Sequence, residues 1–488
     1  MKQANNILLL PLLIFCSVYG IVFAQSEDKN YVKTRQLRVP VQSIQQLNNL
    51  SEQNVQTTIT YSDGLGRPTQ QIALGQSSNH WDVIQPVVYD ELGRPHKQYL
   101  PYTKSNGGNY DASFETNQDV YYKTQANIAH SLYPYSETVF EASPLSRVLE
   151  QSAPGADWQL GSGHTQTIKQ RLNLASEVHH WKVVNGVSIH QGTYLEATLM
   201  VGEATDEHQN TSMIYTDQLG RKILEKRQLG ANEWAQTYFI YDDFGRLSYV
   251  IPPNAVKQMQ TTQNFQVSSL SEEELFIYQY NKRGLPIAKK VPGADWHYLI
   301  YDDYNRPVLI QDGNLRLQGK WHFTKYDAFE RVILSGIYTP PATQQAMIAN
   351  AQLTGLIPTS SLPMFEKRMD NAIGYSSYAF PSTDIEVLMI FYYDDYDFDG
   401  NGIADFTYID PPNKMKNQIE QVSGGSLVKS NTASGVTISY WNLPTVYNRG
   451  KLTGSKTRIL GSNDWITSAS FYSEYGRVLQ TQTTNHLS

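Results

Sequence analysis

The sequence predicts a mainly β protein made of repeated hairpins, with a few short helices as insertions. Three observations lead there. A short string recurs along the chain at near-regular spacing. Gly, Pro, Asn and Asp punctuate runs rich in β-branched and aromatic residues, the pattern of strands joined by tight turns. Tyrosine is abundant, 33 Tyr against 16 Phe, which suits strands with one wet face where the ring packs and the hydroxyl stays hydrated.

Residues 1–24 read as an export signal. Lys2 supplies a basic start, Ile7 to Phe23 an apolar run broken by Pro11 and Gly20, and Val22-Phe23-Ala24 a cleavage site before Gln25. With those interruptions and no stop-transfer charges behind it, the run is not a membrane anchor, and no membrane span is expected once it is removed. Lipidation at Cys16 is disfavoured because the bulky Phe15 stands where signal peptidase needs a small residue. The chain is therefore expected outside the cell or on its surface. Cys16 is the only cysteine, so the mature chain has no disulfide and must be held by packing and hydrogen bonds. A formal charge of −7 with scattered Lys and Arg gives no footprint for nucleic acid.

The recurring string is an aromatic residue, an acid within two positions, then Gly-Arg and a Pro or aliphatic residue. Good copies hold Tyr61, Asp63, Gly66 and Arg67; Tyr89, Asp90, Gly93 and Arg94; Tyr215, Asp217, Gly220 and Arg221; Tyr241, Asp242, Gly245 and Arg246; and Tyr472, Glu474, Gly476 and Arg477. Weaker copies run from Phe140-Glu141 to Arg147, from Tyr280 to Leu285, through Tyr301, Asp302, Asn305 and Arg306, and through Tyr326, Asp327, Glu330 and Arg331. A turn and a Trp follow several copies, at Trp81, Trp158, Trp234, Trp296 and Trp465. Each unit is then turn, strand, turn, strand, with 25 residues from Arg221 to Arg246 and from Arg306 to Arg331, a length that fits two strands. In the turn, the Asp carboxylate accepts backbone N–H groups and Gly supplies positive φ. Asn305 fits that position, whereas Glu330 and Ser146 predict distorted turns. The Arg is expected across the preceding Tyr ring or against an Asp of a neighbouring repeat. So many equivalent carboxylates argue for structure, since catalysis needs one differentiated site.

These residues resemble the tyrosine-aspartate (YD) repeats of Rhs proteins and teneurin-like shells. The stretch from Thr57 to Trp158, above all Glu141-Ala-Ser-Pro-Leu-Ser-Arg147 and Pro154-Gly-Ala-Asp-Trp158, is similar to the module that precedes such repeats in bacterial Rhs-like proteins. The resemblance implies YD-repeat hairpins stacked into a curved sheet or partial hollow shell, which in relatives encloses a C-terminal toxin or presents adhesive surfaces. The relatives' core motif and effector domain are missing after Arg477, so no autoproteolytic residue or toxin activity is carried over. A truncated gene, a shell fragment and a stand-alone N-terminal piece all remain open.

The expected divisions are a signal (1–24), a leader (25–56), an N-terminal Rhs-associated module with the first repeats (57–160), β-rich repeats (161–335), a Pro-containing insertion with a helix (336–390), and C-terminal β repeats with an Asp-rich turn (391–488). Helices are expected over Asn117–Leu132 and Pro341–Gln352, with a helix-like stretch at Ser271–Leu275.

The sharpest chemical signal is Asp395, Asp397, Asp399, Asn401 and Asp405, oxygen side chains alternating around Gly400 and Gly402. Such spacing can gather hard ligands on one calcium ion. An EF-hand frame from Asp395 fails because Phe406 occupies its twelfth position; a shorter frame from Asp397 to Asp405 resembles the calcium loops of propeller-type surface repeats. The plain alternative is another strand and hairpin turn continuing Tyr392-Tyr393-Asp394. His179 and His180 have no third ligand at zinc spacing and read as a solvated strand pair. Nucleophile-elbow, phosphate-loop and dinucleotide motifs are absent. Apart from possible calcium no cofactor is expected, and no enzyme. The leading expectation is a non-catalytic exported scaffold that binds or encapsulates a partner, such as a separately encoded Rhs protein or effector. The alternative is a secreted glycan-binding or carbohydrate-active protein, on whose Tyr and Trp faces sugars of a surface glycan stack.

Overall fold

Alternating apolar and polar residues, with β-branched and aromatic side chains on the inner face, fold this chain into successive antiparallel strands. The structure, a computed structural model, describes residues 29–39, 50–51, 54–357, 363–409, 430–431, 436–437 and 447–484. The export signal and Cys16 lie outside the described residues. The protein is mainly β, a large antiparallel sheet that does not close, with a few short helices. It divides into two compact units, Met1–Lys169 with Ala204–Asn210, and Gln170–Glu203 with Thr211–Ser488.

The first unit contains β1 (Asn30–Leu37), β2 (Val55–Ser62), β3 (Pro68–Ala73), β4 (Asp82–Tyr89), β5 (Pro95–Tyr99), β6 (Tyr102–Lys104), β7 (Tyr135–Phe140), β8 (Val148–Gln151) and most of β9 (Gln166–Leu172). In β2 every second residue from Val55 to Tyr61 is buried. β1 to β4 pair in chain order. β4 then splits its partners, giving Asp82–Ile84 to β6 and Val87–Tyr89 to β5. Ile59, Tyr61, Ile72, Ile84 and Tyr102 form the core, against which Phe114 and Tyr121 of helix α1 (Phe114–Thr124) pack. That helix begins and ends earlier than the sequence predicts. Asn117 is not its cap; its side-chain amide binds both oxygens of buried Asp111, and the segment past Gln125 turns away through Asn127 in left-handed conformation.

The second unit contains the hairpin β10 (His179–Val184) and β11 (Val187–Thr193), then most of β12 (Met200–Thr205), and β13 (Thr211–Thr216), β14 (Lys222–Gly230), β15 (Glu233–Tyr241), β16 (Leu247–Ile251), β17 (Phe276–Tyr280), β18 (Pro286–Lys290), β19 (His297–Tyr301), β20 (Pro307–Gln311), β21 (Trp321–Tyr326), β22 (Val332–Tyr338), β23 (Ile385–Asp394), the two-residue strands β24 (Ser430–Asn431) and β25 (Val436–Thr437), β26 (Asn448–Arg458), β27 (Trp465–Tyr472) and β28 (Val478–Thr483). From β13 to β23 each strand pairs with the next, β23 pairs directly with β26, and β26, β27 and β28 follow in order, while β24 and β25 pair with each other. Helix α2 (Pro253–Thr262) starts on a proline, whose missing N–H costs nothing there, and buries Ala255, Val256 and Met259 in the core. A one-turn helix, α3 (Gly313–Leu317), is capped by Asp312. Glu272–Glu274 forms a short 3-10 turn capped by Ser271. In the Pro-containing stretch, a 3-10 turn at Ala342–Gln344 leads into α4 (Gln345–Thr354). The excursion ends where β23 returns beside β22. It is bound to the sheet by a fully buried ion pair, Lys325 Nζ to Glu366 Oε1 at 2.8 Å. Glu366 also accepts N–H bonds from Tyr378 and Ala379 and the Ser376 hydroxyl, the full set of partners a buried charge needs.

Candidate functional site

Each repeat turn is built by one carboxylate. At Asp63 the backbone N–H donates to Arg67 O and the carbonyl accepts from Gly66 N, both at 3.0 Å. Its Oδ1 accepts the N–H groups of Leu65 and Arg67, and its Oδ2 takes Arg67 Nε at 2.7 Å. The same set recurs at Asp90, Asp217, Asp242, Asp302 and Asp327 with Arg94, Arg221, Arg246, Arg306 and Arg331. A β-turn followed by one left-handed residue adds one residue to the ladder, a bulge that strengthens strand twist. Gly66, Gly93, Gly220, Gly245 and Gly476 fill that position with φ between 74° and 79°. In the copy after Tyr472 the turn acceptor is Ser473 rather than Glu474: Ser473 Oγ accepts Arg477 N and its carbonyl accepts Gly476 N.

Two expectations are corrected. The turn at Glu330 is not distorted: its N–H reaches Asp327 O at 3.1 Å, and Glu330 itself adopts φ 64°. In the copy starting at Glu141 the turn is lengthened instead, closing from Ser146 N to Ser143 O. The Arg lies neither on the preceding Tyr nor, as a rule, on a neighbour's Asp. It pairs with its own Asp and lies under the aromatic ring of the following repeat, Arg67 under Tyr89, Arg94 under Phe140, Arg221 under Tyr241, Arg246 under Tyr280 and Arg306 under Tyr326, at 4.6–5.0 Å. The reason is register. The next tyrosine's hydroxyl donates to the carbonyl just after the Arg, as in Tyr89 to Pro68, Tyr241 to Lys222 and Tyr326 to Pro307, so its ring is drawn over the guanidinium. Tyr301 keeps this bond, to Pro286 O, although Leu285 replaces the Arg. Tyr472 bonds Leu452 O. Tyr61 and Tyr215 have other partners, Gly108 O and Glu177.

The sequence reading also missed one copy, Tyr393-Asp394. Tyr393 donates to Val332 O and covers Arg331, while Asp394 pairs with both Arg331 NH groups at 3.0 and 2.8 Å. Its return strand starts beyond a long excursion, which hid the pattern. At Asp63 the Arg67 N–H, opposed by burial, holds the carboxyl below its usual range. At Asp217 burial pushes upward, and the Arg221 side chain and N–H outweigh it to hold the carboxyl down. These acids stay ionised and committed to their turns.

Asp397, Asp399 and Asp405 bring carboxylate oxygens within 4.8 Å of one another. Asp395 does not join them, facing Arg368 at 3.4 Å, and Asn401 Nδ2 donates to Asp399. No strand follows Asp394 in this stretch. The segment is a fixed loop, not the hairpin of the plain alternative: Phe398 is buried and stacked on Tyr392 with centroids 4.4 Å apart. Asp397 already accepts N–H bonds from Gly400, Asn401 and Gly402, and Asp405 accepts from Phe398. Burial pushes Asp397 upward, but the Gly402 and Gly400 N–H groups hold its carboxyl down. A charged donor set of this type fits a hard cation, whose ligands would share the loop's own N–H groups.

A second concavity, about 480 Å³, lies in the second unit between the β10–β11 hairpin and the turns after β13 and β15. His179 and His180 part company there. His179 stacks on Phe265 at 3.8 Å and meets His190 at 3.2 Å, so it is not simply solvated; burial pushes it down to about 4. His180 packs on Tyr194 at 4.3 Å and lines the cavity.

A family model described as a domain of unknown function (DUF6443) matches residues 33–172. The chain is similar to Salivary gland surface protein 1 of Aedes aegypti, 21% identical over 282 residues, which is 52% of this chain and 8% of that protein. It therefore spans under a tenth of that relative's length. Among solved structures it is similar to the TcdB2-TccC3-Cdc42 complex (12% identity, TM-score 0.41, 88% of this chain and 17% of that one). It is also similar to TcdB2-TccC3 without its hypervariable C-terminal region (13%, 0.42, 88% and 17%) and to the Photorhabdus luminescens Tc holotoxin pore carrying TccC3-D651A (13%, 0.38, 89% and 21%).

Proposed function

We propose that this is a non-catalytic, exported Rhs-type YD-repeat scaffold that binds or encloses a separately made protein. One observation carries the reading: the repeated carboxylates are used by their own turns. Asp90, Asp217, Asp242, Asp302 and Asp327 each hold two backbone N–H groups and an arginine. General acid–base work needs a carboxyl free to exchange a proton with substrate, and these are spent on architecture. Single-file strand pairing lengthens the sheet by adding units, the way repeat proteins make wide binding surfaces. Export rests on the apolar start of the chain and its cleavage pattern.

The test is a C-terminally tagged chain made in its own cells. The expected result is a protease-accessible tag and one stoichiometric protein partner after cross-linking on intact cells. A tag sealed in the cytoplasm, or turnover of a glycan, peptide or ester that vanishes when a single carboxylate is changed, would overturn the reading.

A further inference from the structure

Among the described residues the β10–β11 hairpin is a two-stranded sheet of its own. It is tied down at both ends, by Tyr249 OH to Gly186 O at its tip and by Trp181 Nε1 to Phe265 O near its base. Its pairing slips between His179 and Trp181, so that Gln191 and Gly192 together oppose His180, and Gly192 takes φ 93°. A bulge of this kind re-aims side chains. Here His180 and Gln191 both line the cavity of about 480 Å³, a volume in the range of small-ligand pockets.

The lining has two properties that together select a ligand class. Its charges cancel and are already matched: Arg221 pairs with Asp217 and Asp242 with Arg246, each at 2.7 Å, and Lys182 faces Asp243 at 3.9 Å. A charged guest would lose hydration without finding an uncommitted counter-ion. Its remaining surface combines rings with idle polar heads. Phe239, Tyr241, Phe244 and Tyr194 supply the rings. The side chains of His180, Gln191 and Tyr194 make no hydrogen bond among the described residues. Rings for C–H faces and unpaired donors and acceptors for hydroxyls are what a neutral polyhydroxylated molecule needs. Asp242 is bound in its turn, so the cavity holds no free pair of carboxyls to cut a glycosidic bond.

We infer that this cavity is a binding site for a neutral saccharide unit, gripped by Tyr194, Gln191 and His180 without hydrolysis. The inference goes beyond the scaffold reading and does not depend on it, because a scaffold with an empty cavity and a sugar binder with no protein partner are both coherent outcomes.

Saturation-transfer NMR on the full chain tests it, with the methyl glycosides of glucose, galactose, mannose and N-acetylglucosamine as probes and with glutamate and spermidine as charged controls. At least one glycoside is expected to receive saturation from the protein's aromatic protons, and neither control. Gln191→Ala, at a solvent-facing bulge, and Tyr194→Phe, which keeps the ring, are each expected to weaken that glycoside roughly tenfold by leaving its hydroxyls unpaired. Unchanged melting would show that both variants fold. Absence of transfer to every glycoside, transfer to a charged control alone, or binding untouched by both variants would overturn the assignment.

Discussion

Arg306 shows how much one side chain holds together at a repeat junction. Its Nε and one NH group engage Asp302 at 2.7 and 2.6 Å, the same NH group reaches Met364 O at 2.5 Å, and its plane lies between Tyr304 and Tyr326 at 5.1 and 4.6 Å. Arg246 and Arg331 have the same sandwich, between Phe244 and Tyr280 and between Phe329 and Tyr393. In these three copies the aromatic residue before the left-handed position, Phe244, Tyr304 or Phe329, is thus a lid over an ion pair, although each is more than half exposed. A lysine has neither the flat face nor the forked donors. Arg306→Lys is therefore expected to cost about 2 kcal/mol in urea unfolding, the worth of a charge-assisted bond and a stacking contact. Glu330 offers the opposite case, because it holds a left-handed backbone that its own side chain resists. Glu330→Gly should raise stability by roughly 0.5–1 kcal/mol, the relief of that strain less the entropy glycine adds to the unfolded chain. A loss of stability instead would mean the turn is supported by the Glu side chain.

At the scale of the element, the loop from Asp397 to Asp405 is held by close approach. A Cβ on Gly454 would fall 2.0 Å from Phe398 Cζ, and one on Gly374 2.0 Å from Phe398 O. Gly454→Ala must push Phe398 off Tyr392 and is expected to cost about 1–3 kcal/mol, the usual range for overpacking. A loop fixed this way has its carboxylates gathered before any ion arrives. Millimolar calcium should raise the melting temperature, chelation should reverse the rise, and Asp399→Asn should abolish it, since a ligand of the native state stabilises by mass action. A melting curve indifferent to calcium would leave the three carboxylates as N–H acceptors alone. The turns were legible in the sequence because they are local: an Asp, a left-handed residue and an Arg all fall within five positions. The Arg-to-ring contact was misread because the ring comes from the next repeat and its place is set by strand register. The buried Lys325–Glu366 pair sits in a stretch that reads only as proline-rich, and the hairpin cavity depends on a bulge that no composition signals.

Over the whole molecule, repetition multiplies small titration effects into a pH profile. Burial lowers His179 to about 4, and lowers His180, His190, His297 and His322 as well. Between those values and the ordinary 6.5 the unfolded chain binds more protons than the folded one, so stability falls as pH drops through that window. Below it a second group acts. Glu141, held down to about 2 chiefly by Arg147, and Glu177, which burial pushes up but Arg171 and the Leu174 N–H hold at about 2, are joined by Asp63, Asp90 and Asp217. Their contribution is complete above the unfolded carboxylate range and is lost as pH falls through the folded values. On the alkaline side, burial lifts Tyr194, Tyr238, Tyr326, Tyr338 and Tyr396 to about 12. The unfolded tyrosines ionise first, near 10, so stability falls from there upward. Melting temperature measured from pH 2 to 12 should therefore show a stepped acid limb below about 6.5 and an alkaline limb above about 10, where the unfolded tyrosines ionise. His179→Phe keeps the stack on Phe265 and should shrink the upper acid step while leaving the lower one in place. An acid limb that begins only below pH 4 in the parent chain would show that the histidines are hydrated in the folded state.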